Sequence, residues 1–214
     1  MRGSETGASK RVTYRHGDLR RALLDAGTEL ARGGGPEAVV LREATRRAGV
    51  APSAAYRHFA DRRALLDAVC SAAQSALAVA IEAELAGLPC KEDPAGRARA
   101  RLRAVGTGYL RFAGAEPGLF RTAFSASDNL RSAASPARAG GGGLTPFQLL
   151  TATLDELVEA GVLPRERRPN AEFLAWSAVH GLAMLLIDGP LRGLDKTQAQ
   201  HVGQRLLDMV EQGL

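Results

Sequence analysis

Between Asp18 and Arg32 the apolar residues fall at Leu19, Ala22, Leu23, Ala26 and Leu30. Spacings of three and four put them on one side of a helix, so an amphipathic helix is predicted there. Gly33-Gly34-Gly35-Pro36 stops it. Two short helices are predicted within Leu41–Phe59, with Ala44, Ala48, Val50, Ala55 and Phe59 facing inward. A longer helix runs from near Arg62 to about Ala86, where Gly87-Leu88-Pro89 ends it. Ala95 to Ala113 repeats the helical spacing, and Pro117 opens a short helix over Glu116–Phe124. Residues 125–143 are rich in Ser, Ala, Asn and Gly and read as a long, mobile loop. Thr145-Pro146, a good cap followed by proline in the first turn, opens a helix to about Ala160. Asn170–Ile187 and Lys196–Gln212 complete the set. No strand-like alternation and no internal repeat occurs. The expected fold is all-α, with about nine helices.

The pair of helices in Leu41–Phe59 carries the most chemistry. Gly49 suits the left-handed position that ends a helix. Pro52 suits the first turn of the next, where its missing N–H costs nothing. Arg42, Arg46, Arg47, Arg57 and His58 give the outer face a cationic edge. A helix, a tight turn and a second helix with basic edges can lay that second helix in a DNA major groove. Pro52, Ser53 and Ala54 would then stand at its N-terminal end, where base edges are met. Ser53 can donate or accept, while Pro52 and Ala54 can only touch apolar groups such as a thymine methyl. Arg57 is the side chain of this helix able to grip guanine with two bonds, and Arg42 is a second candidate.

Charge distribution supports that reading. The chain of 214 residues has a formal net charge of +5. Residues 1–63 hold 13 Lys+Arg against 7 Asp+Glu, a net of +6, and the remainder is close to neutral. A basic head on a neutral body is the electrostatic pattern of a nucleic-acid module on a carrier. Hydrophobic residues make up 45% of the chain, enough to bury a core, and no run of about 18 apolar residues predicts a membrane span. The polar start Met1–Gly7 lacks an apolar signal core. Cys70 and Cys90 make a poor disulfide framework and fit a reducing cytosol, so a cytoplasmic location is expected.

Several positions match at fixed spacing: Ala48-Gly49-Val50, Tyr56-x-His58-Phe59 and the cation Arg62. Over roughly residues 17–67 this segment resembles the N-terminal domain of TetR-family transcriptional regulators. Ala51 and Thr45 depart from the pattern, where the family often has a Ser or Thr cap and a small apolar residue. The helix order resembles the same family along nearly the whole chain, and Trp176-Ser177-Ala178-Val179-His180-Gly181 resembles a Trp-x-x-x-His-Gly signature of one C-terminal subtype. The resemblance implies a flexible basic arm over 1–16, a DNA-binding domain over 17–67, and a ligand-binding and dimerisation body over 68–214. It also implies that Tyr56, His58 and Arg62 anchor phosphates of a double-stranded operator. Phosphate contacts set register and carry no base information.

Within the body, Trp176 and His180 share one helix face. They and Tyr109, Phe112, Phe120 and Phe124 could wall a pocket for a small hydrophobic or amphipathic ligand, or could simply pack a core. No Lys or Arg cluster accompanies them, so a highly charged ligand is not expected. The last two helices carry more apolar positions than one face needs. A two-fold homodimer interface through Ala178, Leu182, Leu185, Val202, Leu206 and Met209 would bury the excess. No nucleophile elbow, phosphate loop, zinc spacing or dinucleotide fingerprint occurs, so neither a catalytic residue nor a metal or cofactor is expected. The expected function is a ligand-released repressor. An activator or ligand-independent DNA binder is the alternative, and an enzyme using His180 with Asp188 is a remote one.

Overall fold

The computed structural model describes residues 16–90, 93–125 and 132–214. Among them are nine α-helices and no strands: α1 His16–Gly34, α2 Leu41–Ala48, α3 Pro52–Ala55, α4 Arg62–Ala86, α5 Pro94–Ala115, α6 Pro117–Ala123, α7 Pro146–Glu159, α8 Ala171–Ile187 and α9 Lys196–Gly213. The expected fold class therefore holds, with ends within a few residues of the predicted ones. Residues 1–15 of the expected arm lie outside the described residues, and His16 opens α1.

Helix starts follow from local chemistry. Asp61, Asp93, Thr145 and Asp195 each accept a backbone N–H of the first turn they precede. Thr145 with Gln148, and Asp195 with Gln198, form reciprocal capping boxes. α1 packs on α2 and α4 around Leu23, Val39, Ala44, Phe59 and Leu65, all buried. That closes the N-terminal head.

α4 then continues without a break from the head into the body, so the expected boundary at residue 67 falls inside one helix. Its length and composition alone would let it cross a membrane. Here it is the central core helix, with Val69, Ala73, Leu77 and Ile81 buried against α1, α5, α6 and α7. Its Ala-rich makeup serves close helix packing.

The segment expected to be a mobile loop is corrected over its described part. Short 3-10 turns form at Ser132–Ala134 and Pro136–Arg138. Residues 136–143 form a strap tied to α4. Ser75 donates to the Ala139 carbonyl at 2.6 Å. The Glu82 carboxylate accepts from Gly141 N at 2.9 Å and Gly142 N at 3.0 Å. A Cβ on Gly140 would lie 2.5 Å from that carboxylate, so any larger residue there would push the Glu82 side chain aside. Residues 126–131 lie outside the described part.

Candidate functional site

In the head, α2 ends on Gly49 at φ 67° and ψ 31°, the left-handed geometry the sequence predicts. Ala51 supplies no side-chain cap to α3. The regular part of α3 is four residues long, shorter than expected. His58 N and Phe59 N still donate to the Ala55 carbonyl at 2.9 Å, so the chain keeps turning through Tyr56-Arg57-His58. Phe59 is buried and pins this turn to the core, with the Arg20 guanidinium 5.2 Å from its ring centre. Thr45 is also buried. Its hydroxyl donates to the Arg42 carbonyl at 2.7 Å, which satisfies it where a small apolar residue was expected.

Arg42, Pro52, Ser53, Tyr56 and Arg57 are exposed together on the outer side of this pair. His58 is half-buried, and Ala54 is half-buried against the core, which leaves less of it for a base. The cationic edge is smaller than the composition implies. Glu43 accepts from Arg46 Nε at 2.8 Å and Nη2 at 2.7 Å, and from Arg47 Nε at 3.2 Å. The two hydrogen-bonded guanidinia hold the Glu43 carboxyl down at about 2.

Arg62 is placed differently from expectation. Its Nε donates to the Val39 carbonyl and its Nη2 to the Pro36 carbonyl, both at 2.8 Å, with Glu37 at 3.7 Å. The guanidinium clamps the start of α4 to the turn before α2 through Nε and Nη2, while the residue itself stays exposed.

Besides the continuous α4, α6 joins head to body. The start of α6 sits so close to the end of α1 that a Cβ on Gly118 would lie 2.4 Å from the Ala31 and Arg32 carbonyl oxygens. Arg32 Nε donates to Glu116 at 2.8 Å beside it.

The body holds a partly open cavity of about 580 Å³. Gln74 and Ile81 of α4, side chains of α5, Phe124 after α6, Phe147 of α7 and Trp176 with His180 of α8 form its wall. Of the six expected ligand residues, Tyr109, Phe124, Trp176 and His180 line it. Phe112 and Phe120 do not. Both are buried in the core, where Phe120 packs edge-on to Tyr109 at 5.3 Å and against Phe124 at 5.2 Å. Three of the lining groups are hydrogen-bonded in a row. Trp176 Nε1 donates to the Tyr109 hydroxyl at 3.1 Å, and that hydroxyl lies 2.9 Å from His180 Nδ1. Burial pushes the Tyr109 phenol up, against the opposing pull of the Trp176 hydrogen bond, and pushes the His180 imidazole down. Asp188 is not the partner of His180; it caps α8 and approaches Arg121 at 3.4 Å.

Arg103, Arg138 and Glu211 also reach the wall. They form no motif in the sequence, because they come from three distant segments. Arg103 is neutralised by Asp208 at 2.5 Å and Glu211 at 2.9 Å.

On α8, Leu174, Gly181 and Leu185 are exposed and Ala178 half-exposed, one stripe at intervals of three and four. Met209 of α9 is exposed as well. Leu182 is corrected: it is 6% exposed, buried within one protomer. Val202 is half-buried, and Leu206 packs partly against the protomer's own core.

A helix-turn-helix head continuous with a hollow helical body is the form of a DNA-binding transcription regulator. The family model described as "Tetracyclin repressor-like, C-terminal domain" matches residues 102–210. The model described as "Bacterial regulatory proteins, tetR family" matches residues 23–69. The chain belongs to the TetR family. No curated protein sequence matches it. Among solved structures, a protein of unknown function from Rhodococcus sp. RHA1 is similar at 28% identity, with TM-score 0.72 over 94% of this chain and 98% of that one. FadR of Bacillus subtilis, in complex with stearoyl-CoA, shares the fold at 15% identity and TM-score 0.65, over 91% and 98% of the two chains. PfmR of Thermus thermophilus shares it at 22% identity and TM-score 0.55, over 95% and 98%.

Proposed function

We propose that this chain is a homodimeric repressor that leaves an inverted-repeat operator when a small, largely apolar molecule enters the body, with the cytoplasm as its place of work. One observation carries the reading: α4 lines the cavity with Gln74 and Ile81 and is clamped to the reading head at its other end by Arg62. A molecule that favours one position of α4 in the body thereby favours one position of the head. It can do so only by binding the two conformers differently, a coupling of typically about 1–3 kcal/mol. Each protomer offers one reading helix, and a dimer must hold the two about 34–36 Å apart to meet successive major-groove faces. In this reading Arg57 and Arg42 read bases with Ser53, Pro52 and Ala54 beside them, and Tyr56 and His58 hold phosphates. The stearoyl-CoA held by the Bacillus subtilis relative supports a body of this shape taking an amphipathic effector.

The test is fluorescence anisotropy with the DNA flanking the chain's own coding sequence. Binding of a single inverted repeat by a dimer is expected, with release as an apolar effector saturates the body. Tight operator binding that no cavity occupant alters would leave a ligand-independent DNA binder.

A further inference from the structure

The hydrogen-bonded row on the cavity wall has a direction. An indole N–H can only donate. Trp176 Nε1 therefore fills a lone pair of the Tyr109 oxygen and leaves the single phenolic proton to be placed elsewhere. Tyr109 is 5% exposed and ringed by Phe120 and Phe124, which accept nothing. Among the described residues the acceptor within reach is His180 Nδ1, at 2.9 Å. The phenol keeps its proton, because burial pushes its ionisation up, and the imidazole stays neutral, because burial pushes its protonation down. A neutral imidazole whose Nδ1 accepts must carry its hydrogen on Nε2. His180 lines the cavity; its Nε2 has no hydrogen-bond partner among the described residues and is not a fully buried atom, so it is accessible.

We propose that His180 Nε2–H is a preset donor in the cavity, and that the effector is a neutral, mainly apolar molecule presenting a carbonyl oxygen to it. This rests on the reading of the cavity as the effector site. Tyr109 and Trp176 act as positioning residues, since they choose the tautomer without needing to touch the ligand's oxygen. An anionic oxygen fits less well. Of the charged groups on the wall, the Glu211 carboxylate repels an anion, Arg103 is already balanced by Asp208 and Glu211, and Arg138 would attract one, a balance that a naphthoate probe reads. A donor-only ligand would set two hydrogens against each other in an apolar pocket, where an unmet polar group is costly.

Two measurements test this. Imidazole nitrogen NMR of the wild-type protein, with His180→Phe to identify the signal among four histidines, should show Nδ1 as the bare nitrogen and Nε2 as the protonated one. Tyr109→Phe should return that site to a mixture of tautomers. The opposite assignment in the wild type overturns the proposal without any ligand. The second measurement uses prodan, a neutral fluorescent naphthyl ketone, against the same dimethylaminonaphthalene without its acyl group and against the matching naphthoate. The ketone should bind most tightly, with the red-shifted emission of a hydrogen-bonded carbonyl. His180→Phe should weaken ketone binding about tenfold, the scale of one buried hydrogen bond, and leave the acyl-free probe unchanged. Equal loss for both probes, or tighter binding of the naphthoate, overturns the donor assignment while the cavity remains an effector site. If none of the three binds, the cavity reading fails and the proposal with it.

Discussion

Arg62 and Arg57 carry the same charge five residues apart, and their surroundings give them different work. Arg57 is exposed beside Ser53, whereas Arg62 is bonded to two carbonyls of its own head. Arg62→Ala should therefore lower stability in urea denaturation, by about 0.5–1.5 kcal/mol for each partly exposed hydrogen bond lost, and leave the salt dependence of DNA binding nearly unchanged. A slope flatter by about 0.9 per protomer would return Arg62 to the phosphates. Arg57→Ala should relax one base position per half-site by about 1–3 kcal/mol, read by binding to operators varied at each position. At the same scale, His180 makes stability depend on pH. Its folded pKa lies below the ordinary imidazole value, so the unfolded chain takes up a proton that the folded chain refuses. Stability is then full above about pH 6.5 and falls as pH drops below it. The charged groups sharing its cavity are Arg103, Arg138 and Glu211. His180→Phe should flatten the urea midpoint over that range. A midpoint that keeps the wild-type pH dependence would show that His180 is not the group responsible.

Helices were legible where local signals set them. Pro117 and Thr145-Pro146 mark starts in the sequence itself, and Gly49 marks an end through its left-handed backbone. The strap was not legible, because its partners lie far away along the chain. Gly140–Gly143 reads as a flexible run until α4 brings the Glu82 carboxylate against its N–H groups, some sixty residues apart in sequence. The cavity was half legible for the same reason. Trp176 and His180 are a helical pair visible at spacing four, while Phe112 and Phe120 share their aromatic character but face inward from α5 and α6. The strap also reaches the cavity, since Arg138 lines it while Ser75 and Glu82 hold the strap from α4. Gly140→Ala should force the carboxylate off its two donors, because the added methyl would lie 2.5 Å from it. Hydrogen exchange at Gly141 and Gly142 should then rise and the melting temperature fall. Unchanged protection would mean that the strap does not depend on this contact.

At the scale of the whole molecule, the outer side of α8 calls for a partner. Leu174 is 66% exposed, Leu185 42% and Met209 58%, while Ala178 and Gly181 keep the surface between them low. A Cβ on Gly181 would meet nothing within 4 Å, so the protomer itself has no use for that glycine. In the proposed homodimer a second helix packed closely along the stripe would use it, supplied by an identical chain across a two-fold axis. The sequence pointed to this pair of helices but could not separate inner from outer positions on α8, because both faces are apolar. Leu182 and Leu206 belong wholly or partly to the protomer core, so changing either would damage folding and association together. Leu185 is the cleaner probe. Leu185→Arg should leave the melting transition of the protomer fold intact and give a monomer in sedimentation at micromolar concentration. Operator affinity should fall far more than affinity for an isolated half-site, because two heads joined in a dimer gain an effective concentration that separate heads lack. A variant that remains dimeric with full operator binding would place the interface elsewhere. It would leave the α8 stripe unexplained as a contact between copies.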